Sequence, residues 1–387
     1  MACISIGKID INLIPILAGC IFCFLNRILT QYDGSLLFEN PVMHNILISS
    51  SKLFTIIPYI ILKLNSKGVK SSDIQTLNKS QSFQTLQTKY ETEKKRIIKG
   101  KWCYIISVAI IFLVNQILYV LTIKAKSNTS ILNILITSLF YYLIFKIKLF
   151  KHHYLSVILI ILIGIVVDIV LGNLQYDINN NFILIILRIL REATYSLSSV
   201  IDKYIMEKKF GSPYEILLAN GLITSPLLII FALIDYYFIG IDNYKEYFNN
   251  FNVIELLVVF GVIITQLGLN LCILLTNKNN SPCHIFIIFI FGQLAYYIDF
   301  TGISILVIFC LIFILFLSFI FNEIIEINLL GLSDNTRKNI SKRAEMEDIK
   351  LMTECDLYDR DLEEDGYIIY QKDFKPNEID ESSQKNE

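Results

Sequence analysis

Asn115–Leu149 reads NQILYVLTIKAKSNTSILNILITSLFYYLIFKIKL, and the fold is decided there. An amide-bearing apolar run meets a short polar break at Lys124–Thr129. A second apolar run follows, then a basic stop at Lys146 and Lys148. Each apolar run is about 20 residues, the length an α-helix needs to cross the ~30 Å hydrocarbon core of a bilayer. A similar arrangement returns in the second half, at Gln266–Ile298: QLGLNLCILLTNKNNSPCHIFIIFIFGQLAYYI. Two related helix pairs, one in each half, predict a duplicated membrane protein.

Working outward, 54% of the 387 residues are hydrophobic and the mean hydropathy is +0.56. Long Ile/Leu/Phe runs at that density exclude an ordinary soluble domain and predict an all-α, polytopic membrane protein. Ten spans are expected: Ile11–Leu29, Met43–Leu62, Trp102–Ile123, Ser127–Phe145, Tyr154–Leu171, Asn181–Met206, Tyr214–Phe238, Val253–Thr276, Cys283–Ile298 and Ile303–Phe321. They divide into a first five-span repeat over 1–172 and a second over 173–332. A basic, disordered loop over 63–101 interrupts the first repeat, and an acidic tail over 333–387 follows the second. Residues 345–387 carry 15 acidic and 5 basic side chains, so with the whole chain at −1 the rest is about +9.

Lysines and arginines set the orientation. The 63–101 loop, Lys146/Lys148/Lys151 and Lys203/Lys208/Lys209 all fall on one side, expected to be the cytosol with both termini. The segments 172–180 and 240–252 are short, Asn-rich loops for the other side.

Polar groups inside spans are costly and turn toward a protein interior or a water-filled cavity. In the sixth span Arg188, Glu192, Tyr195 and Ser199 share a helical face. In the third, Asn115, Tyr119, Thr122 and Lys126 do so; in the eighth, Gln266, Asn270 and Asn277. Lys52 sits beside a serine triplet and ahead of Pro58; an ionised lysine there needs an acidic partner, a carbonyl or an anion, with Glu192 as one option. Lys126 and Lys278 are candidates for holding a phosphate. The same amides and hydroxyls also glue membrane helices together, so both readings stay open.

Catalytic and metal signatures are missing. There is no GxSxG, Walker A or HExxH. His152–His153 reads as a solvated basic loop without a third ligand, and the eight cysteines read as small packing residues within apolar runs. No enzyme activity, cofactor or resident metal is expected.

The order of these segments resembles the drug/metabolite transporter superfamily. NQILYVLTIKAKSNTSILNIL and KIKLFKHHYLSVILIILIGIVV are similar to its third to fifth spans. ILREATYSLSSVIDKYIMEKKFGSPYEILLANGLITSPLLII, LNLCILLTNKNNSP and FNEIIEINLLGL resemble the sixth to tenth spans of nucleotide-sugar-transporter-like members (solute carrier family 35). One departure is the ninth span, CHIFIIFIFGQLAYYI, where His284 and Gln293 stand in place of an Asp/Arg-bearing motif. The resemblance implies two inverted five-helix repeats around a central cavity, working by alternating access. It implies an antiporter of an anionic metabolite, such as a nucleotide sugar, in the Golgi or another internal membrane. Its partners would be a small-molecule substrate and membrane lipids, not nucleic acid, with a homodimer left open. A same-fold carrier of another small metabolite and a non-transporting membrane scaffold are the alternatives.

Overall fold

The computed structural model describes residues 4–6, 13–32, 41–69, 100–122, 129–147, 149–171, 173–239, 253–300 and 305–327. Most of the basic loop, Lys126 and the acidic tail lie outside the described residues. The chain falls into two units, Ile6–Ile325 and a second made of Met1–Ser5 with Glu326–Glu387. A two-stranded sheet pairs β1 (Ile4–Ile6) with β2 (Ile325–Ile327). Everything else that is regular is helical, the all-α class expected.

The helices are α1 (Ile14–Tyr32), α2 (Pro41–Ser51), α3 (Ile56–Val69), α4 (Lys101–Thr122), α5 (Asn133–Phe145), α6 (Lys151–Val170), α7 (Asn173–Lys208), α8 (Pro213–Ile239), α9 (Val253–Asn279), α10 (Ile285–Phe300) and α11 (Ile305–Phe321). Among the described residues, four stretches are long and apolar enough to cross a membrane: Lys101–Thr122, Lys151–Val170, Pro213–Ile234 and Leu256–Asn279. Their outward residues, Ile110, Ile158, Leu233 and Phe260 among them, are large, apolar and exposed, as lipid-facing surface requires.

Two boundaries differ from expectation. The loop expected over 172–180 is helical from Asn173 on, so α7 runs for 36 residues. No glycine or proline lies between 173 and 208 to stop it, and the polar residues there do not break a helix by themselves. The loop expected from Lys63 starts later, because α3 continues to Val69.

α2 and α3 are joined by a 3-10 turn over Lys52–Thr55. The local sequence explains the change of winding. The hydroxyls of Ser50, Ser51 and Thr55 donate to the carbonyls of Leu47, Ile48 and Lys52, at 3.0, 2.7 and 2.6 Å. Such back-bonding bends helices, and Pro58 cannot donate to the turn before it. Gly221 of α8 lets this turn come close: a Cβ there would lie 3.1 Å from the Leu53 amide nitrogen.

Packing is pairwise. α4 lies along α7 and α1 along α9; α5 packs on α7 and α10 on α1; α4 meets α8 and α2 meets α9; α6 packs on α11, and α2 with its 3-10 turn packs on α8. One apolar core joins α4, α7, α8 and α9 through Ile105, Ile205, Ile216 and Leu274. Another joins α1, α9 and α10 through Ile16, Cys20, Leu269 and Ile288.

Candidate functional site

Polar residues of the helical interior fall into two settings. The first is a paired seam. Asn115 of α4 donates to the Arg191 carbonyl at 2.7 Å and to the Thr194 hydroxyl at 3.0 Å, both on α7. Glu192 accepts from Arg191 at 2.8 Å and from Asn133 of α5 at 3.3 Å. The Thr137 hydroxyl donates to Ser196 at 3.0 Å. The Arg191 guanidinium also lies over the Tyr119 ring at 5.5 Å. Across the body, Asn26 of α1 donates to Gln266 of α9 at 3.1 Å, and the Thr265 hydroxyl donates back to Asn26 at 3.1 Å.

The second setting is a cavity of about 50 Å³ where the 3-10 turn, α4, α7, α8 and α9 converge. Lys52 and Asp202 are its charged lining residues, with Tyr195, Asn220, Asn270 and Asn277 beside them. Lys52 and Asp202 attract each other electrostatically. Lys52 is 3% exposed and its ammonium lies 3.1 Å from the centre of the Phe112 ring, a cation–π arrangement. Four polar atoms here lack a hydrogen-bond partner: Asp202 Oδ1, Asn220 Oδ1, Asn270 Nδ2 and Asn277 Oδ1. Each such atom costs about 1–3 kcal/mol while unpaired, so a group of them invites water or a solute. A void near 50 Å³ exceeds the ~10–15 Å³ that one water needs and is small for a large ligand.

The sequence-derived residues separate along this line. Lys52, Tyr195 and Asn270 come together at the cavity, with Ser199 and Asn277 of the same helical faces. Asn115, Glu192 and Gln266 are interhelical links. Thr122 is buried with its hydroxyl on the Leu118 carbonyl at 2.7 Å, and the Tyr119 ring lies 6.2 Å from that of His44, tilted by 41°. Arg188 is half-buried one turn above Glu192. The Lys278 side chain is exposed, and its carbonyl accepts from Lys203 at 3.0 Å. Lys203 therefore caps the end of α9 through that carbonyl and the Asn280 carbonyl at 2.7 Å. The acid that faces Lys52 is Asp202 rather than Glu192, because Arg191 and Asn133 already hold Glu192.

Asp202 and Asn220 are the residues that sequence reasoning passed over. Asp202 continues the Arg188–Glu192–Tyr195–Ser199 face by three more residues, and that spacing could have found it. Asn220 stands beside Gly221 in an otherwise apolar run and had no such neighbour to mark it. The solvated loop expected at His152–His153 is also corrected. Both residues start α6, His152 is buried, and Glu323 lies 3.3 Å from its Nε2.

No protein-family model matches the chain, and no curated protein matches it.

Proposed function

We propose that the chain is a secondary membrane carrier that moves a small polar metabolite through the Lys52/Asp202 cavity by alternating access. The observation that carries this reading is the set of unpartnered buried polar atoms around a matched pair of charges, deep among helices. A charge on a membrane-spanning segment is expensive and marks a solute or ion pathway. Here a lysine and an aspartate offer one anion subsite and one cation subsite. Three asparagines can replace the water on a polar solute.

The order in which the helices pack supports the same reading, with ten spans in two inverted repeats as part of the proposal. Treat α2 and α3 as one rod and number the ten rods in order. Exchanging each rod with the one five places on turns first-on-eighth into sixth-on-third, and first-on-ninth into sixth-on-fourth. It also turns third-on-seventh into eighth-on-second, and leaves second-on-seventh and fifth-on-tenth unchanged, while ninth-on-tenth has no equal in fourth-on-fifth. The polar links follow, since Asn115–Thr194 joins the third and sixth rods and Gln266–Asn26 the eighth and first. A cavity at the repeat interface, beside a broken helix, is where such carriers hold their substrates. The 3-10 turn at Lys52 supplies the break.

The substrate class follows from the lining. The sequence resemblance favours a nucleotide sugar, which needs several bases around its diphosphate. Among the described residues Lys52 is the one base lining the cavity, and Asp202 matches it. A small zwitterion or a polar neutral metabolite fits that balance better. The resemblance further favours an internal membrane such as the Golgi, with the lysine-rich loops and both termini in the cytosol.

Thermal melting of the purified protein tests the reading. Amino acids, amines, organic acids, nucleotides and nucleotide sugars are added in turn, since a bound solute raises the melting temperature by mass action. The expected outcome is stabilisation by a small zwitterionic or polar solute, lost in the double variant K52M/D202L. Stabilisation by nucleotide sugars alone would return the substrate class to that of the resemblance. No stabilisation by any class, together with no uptake into liposomes, would favour the scaffold.

A further inference from the structure

We propose that His152, His153 and Glu323 form a divalent-metal site, of zinc type, that ties the start of α6 to the exit of α11. Their ligand atoms lie within 4.8 Å of one another. His152 Nε2 is 3.3 Å and His153 Nε2 3.9 Å from the same carboxylate oxygen of Glu323. Ligands about 2.0–2.1 Å from a tetrahedral zinc ion stand roughly 3.3 Å apart, so small adjustments complete the geometry. Two imidazoles and a carboxylate are a borderline donor set, suited to zinc and not to magnesium or calcium.

Two further observations point to a ligand. His152 is 3% exposed, yet its Nδ1 meets no partner and its Nε2 meets Glu323 only as an ion-pair contact, without hydrogen-bond geometry. A buried imidazole without a donor or acceptor is rare, and a metal at Nε2 would satisfy it. The second observation is the backbone at Glu323. The residue has φ 58° and closes α11 with the Glu323 amide on the Ile320 carbonyl at 3.1 Å and the Ile324 amide on the Phe319 carbonyl at 2.9 Å. Glycine is the usual residue at this left-handed position. Glu323 shares this conformation with Lys146 and Phe210, and it alone of the three sets a carboxylate against two imidazoles. Phe150 stacks on His152 at 6.1 Å and Phe321 meets His153 edge-on at 4.9 Å, so the surroundings are apolar.

The three ligands are not equivalent. The Phe150 amide donates to His153 Nδ1 at 3.2 Å, which leaves the proton of the neutral ring on Nε2. Ligation through Nε2 moves that proton to Nδ1 and releases the Phe150 amide. His152, whose Nδ1 accepts no hydrogen bond, needs no such exchange. The site is independent of the transport reading. It joins helices that pack along each other, and its loading would stiffen that contact.

The test uses the full chain in detergent, stripped of metal and titrated with Co²⁺ as a spectroscopic stand-in, then with Zn²⁺. A saturable visible d–d band for one Co²⁺ per chain is expected, displaced by Zn²⁺, together with a Zn²⁺-dependent rise in melting temperature. H152A and E323Q should each weaken binding roughly tenfold or more, H153A less, and H44A not at all. E323Q keeps the shape of a half-buried residue and stays informative should H152A fail to fold. No saturable band, or a band equally strong in E323Q and H152A, would overturn the proposal. So would near-ultraviolet thiolate charge-transfer bands that persist in both variants, because the cysteines would then be the ligands.

Discussion

The Asn115/Glu192 seam and the Lys52/Asp202 cavity are built from the same residue types, on neighbouring turns of α7, with opposite bookkeeping of their hydrogen bonds. In the seam, amides and carboxylates face partners on the adjoining helix. In the cavity, one or more polar atoms of Asp202, Asn220, Asn270 and Asn277 face none. Paired polar groups between membrane helices hold the body together. Unpaired ones gathered around one cavity invite water or a solute, the difference that would separate scaffold from site within a single helix if the proposed carrier reading holds.

The largest effect should come from splitting the cavity's charges. D202A takes from the buried Lys52 the acid that attracts it across the cavity, and leaving that charge uncompensated should cost about 3 kcal/mol, read as a large drop in melting temperature. K52M/D202L removes both charges and should recover most of that stability with uptake still abolished. If the double variant transports normally, the cavity is not the path.

Next is E192A in the seam. It strands the Arg191 guanidinium and the Asn133 amide, which should cost about 2–3 kcal/mol. Uptake per folded molecule should stay near wild type. G221A tests the junction between the two regions: its Cβ would press on the Leu53 amide, and overpacking of this kind costs roughly 1–3 kcal/mol. It should also slow uptake by displacing the turn that carries Lys52.

The smallest change in stability carries the sharpest comparison. N115A removes two satisfied bonds and should lower stability by about 1 kcal/mol. N270A removes a donor without a partner, so thermal unfolding should be unchanged or slightly improved while uptake falls. Equal destabilisation by the two would erase the distinction between seam and cavity.

Much of this was legible in the chain. Apolar length marked where the helices lie, and the 3.6-residue period of α7 put Tyr195 and Ser199 on one face, which lines the cavity. The period could not say where that face changes neighbours. Glu192 meets Asn133 of α5 while Asp202, ten residues on, lines the cavity with Lys52, whose 3-10 turn packs on α8. Nor could spacing separate Asn115 from Asn270; both are amides in apolar helices, and only the approach of a partner helix decides which is satisfied. His152 shows the same limit, since its third neighbour, Glu323, arrives from the far end of the sequence.

Single-cysteine labelling in a cysteine-free background tests the central claim without knowing the solute. N270C should react with a membrane-impermeant thiol reagent from at least one side of a sealed vesicle, and N115C should not. An unreactive N270C, or an N115C that labels just as fast, would contradict the account.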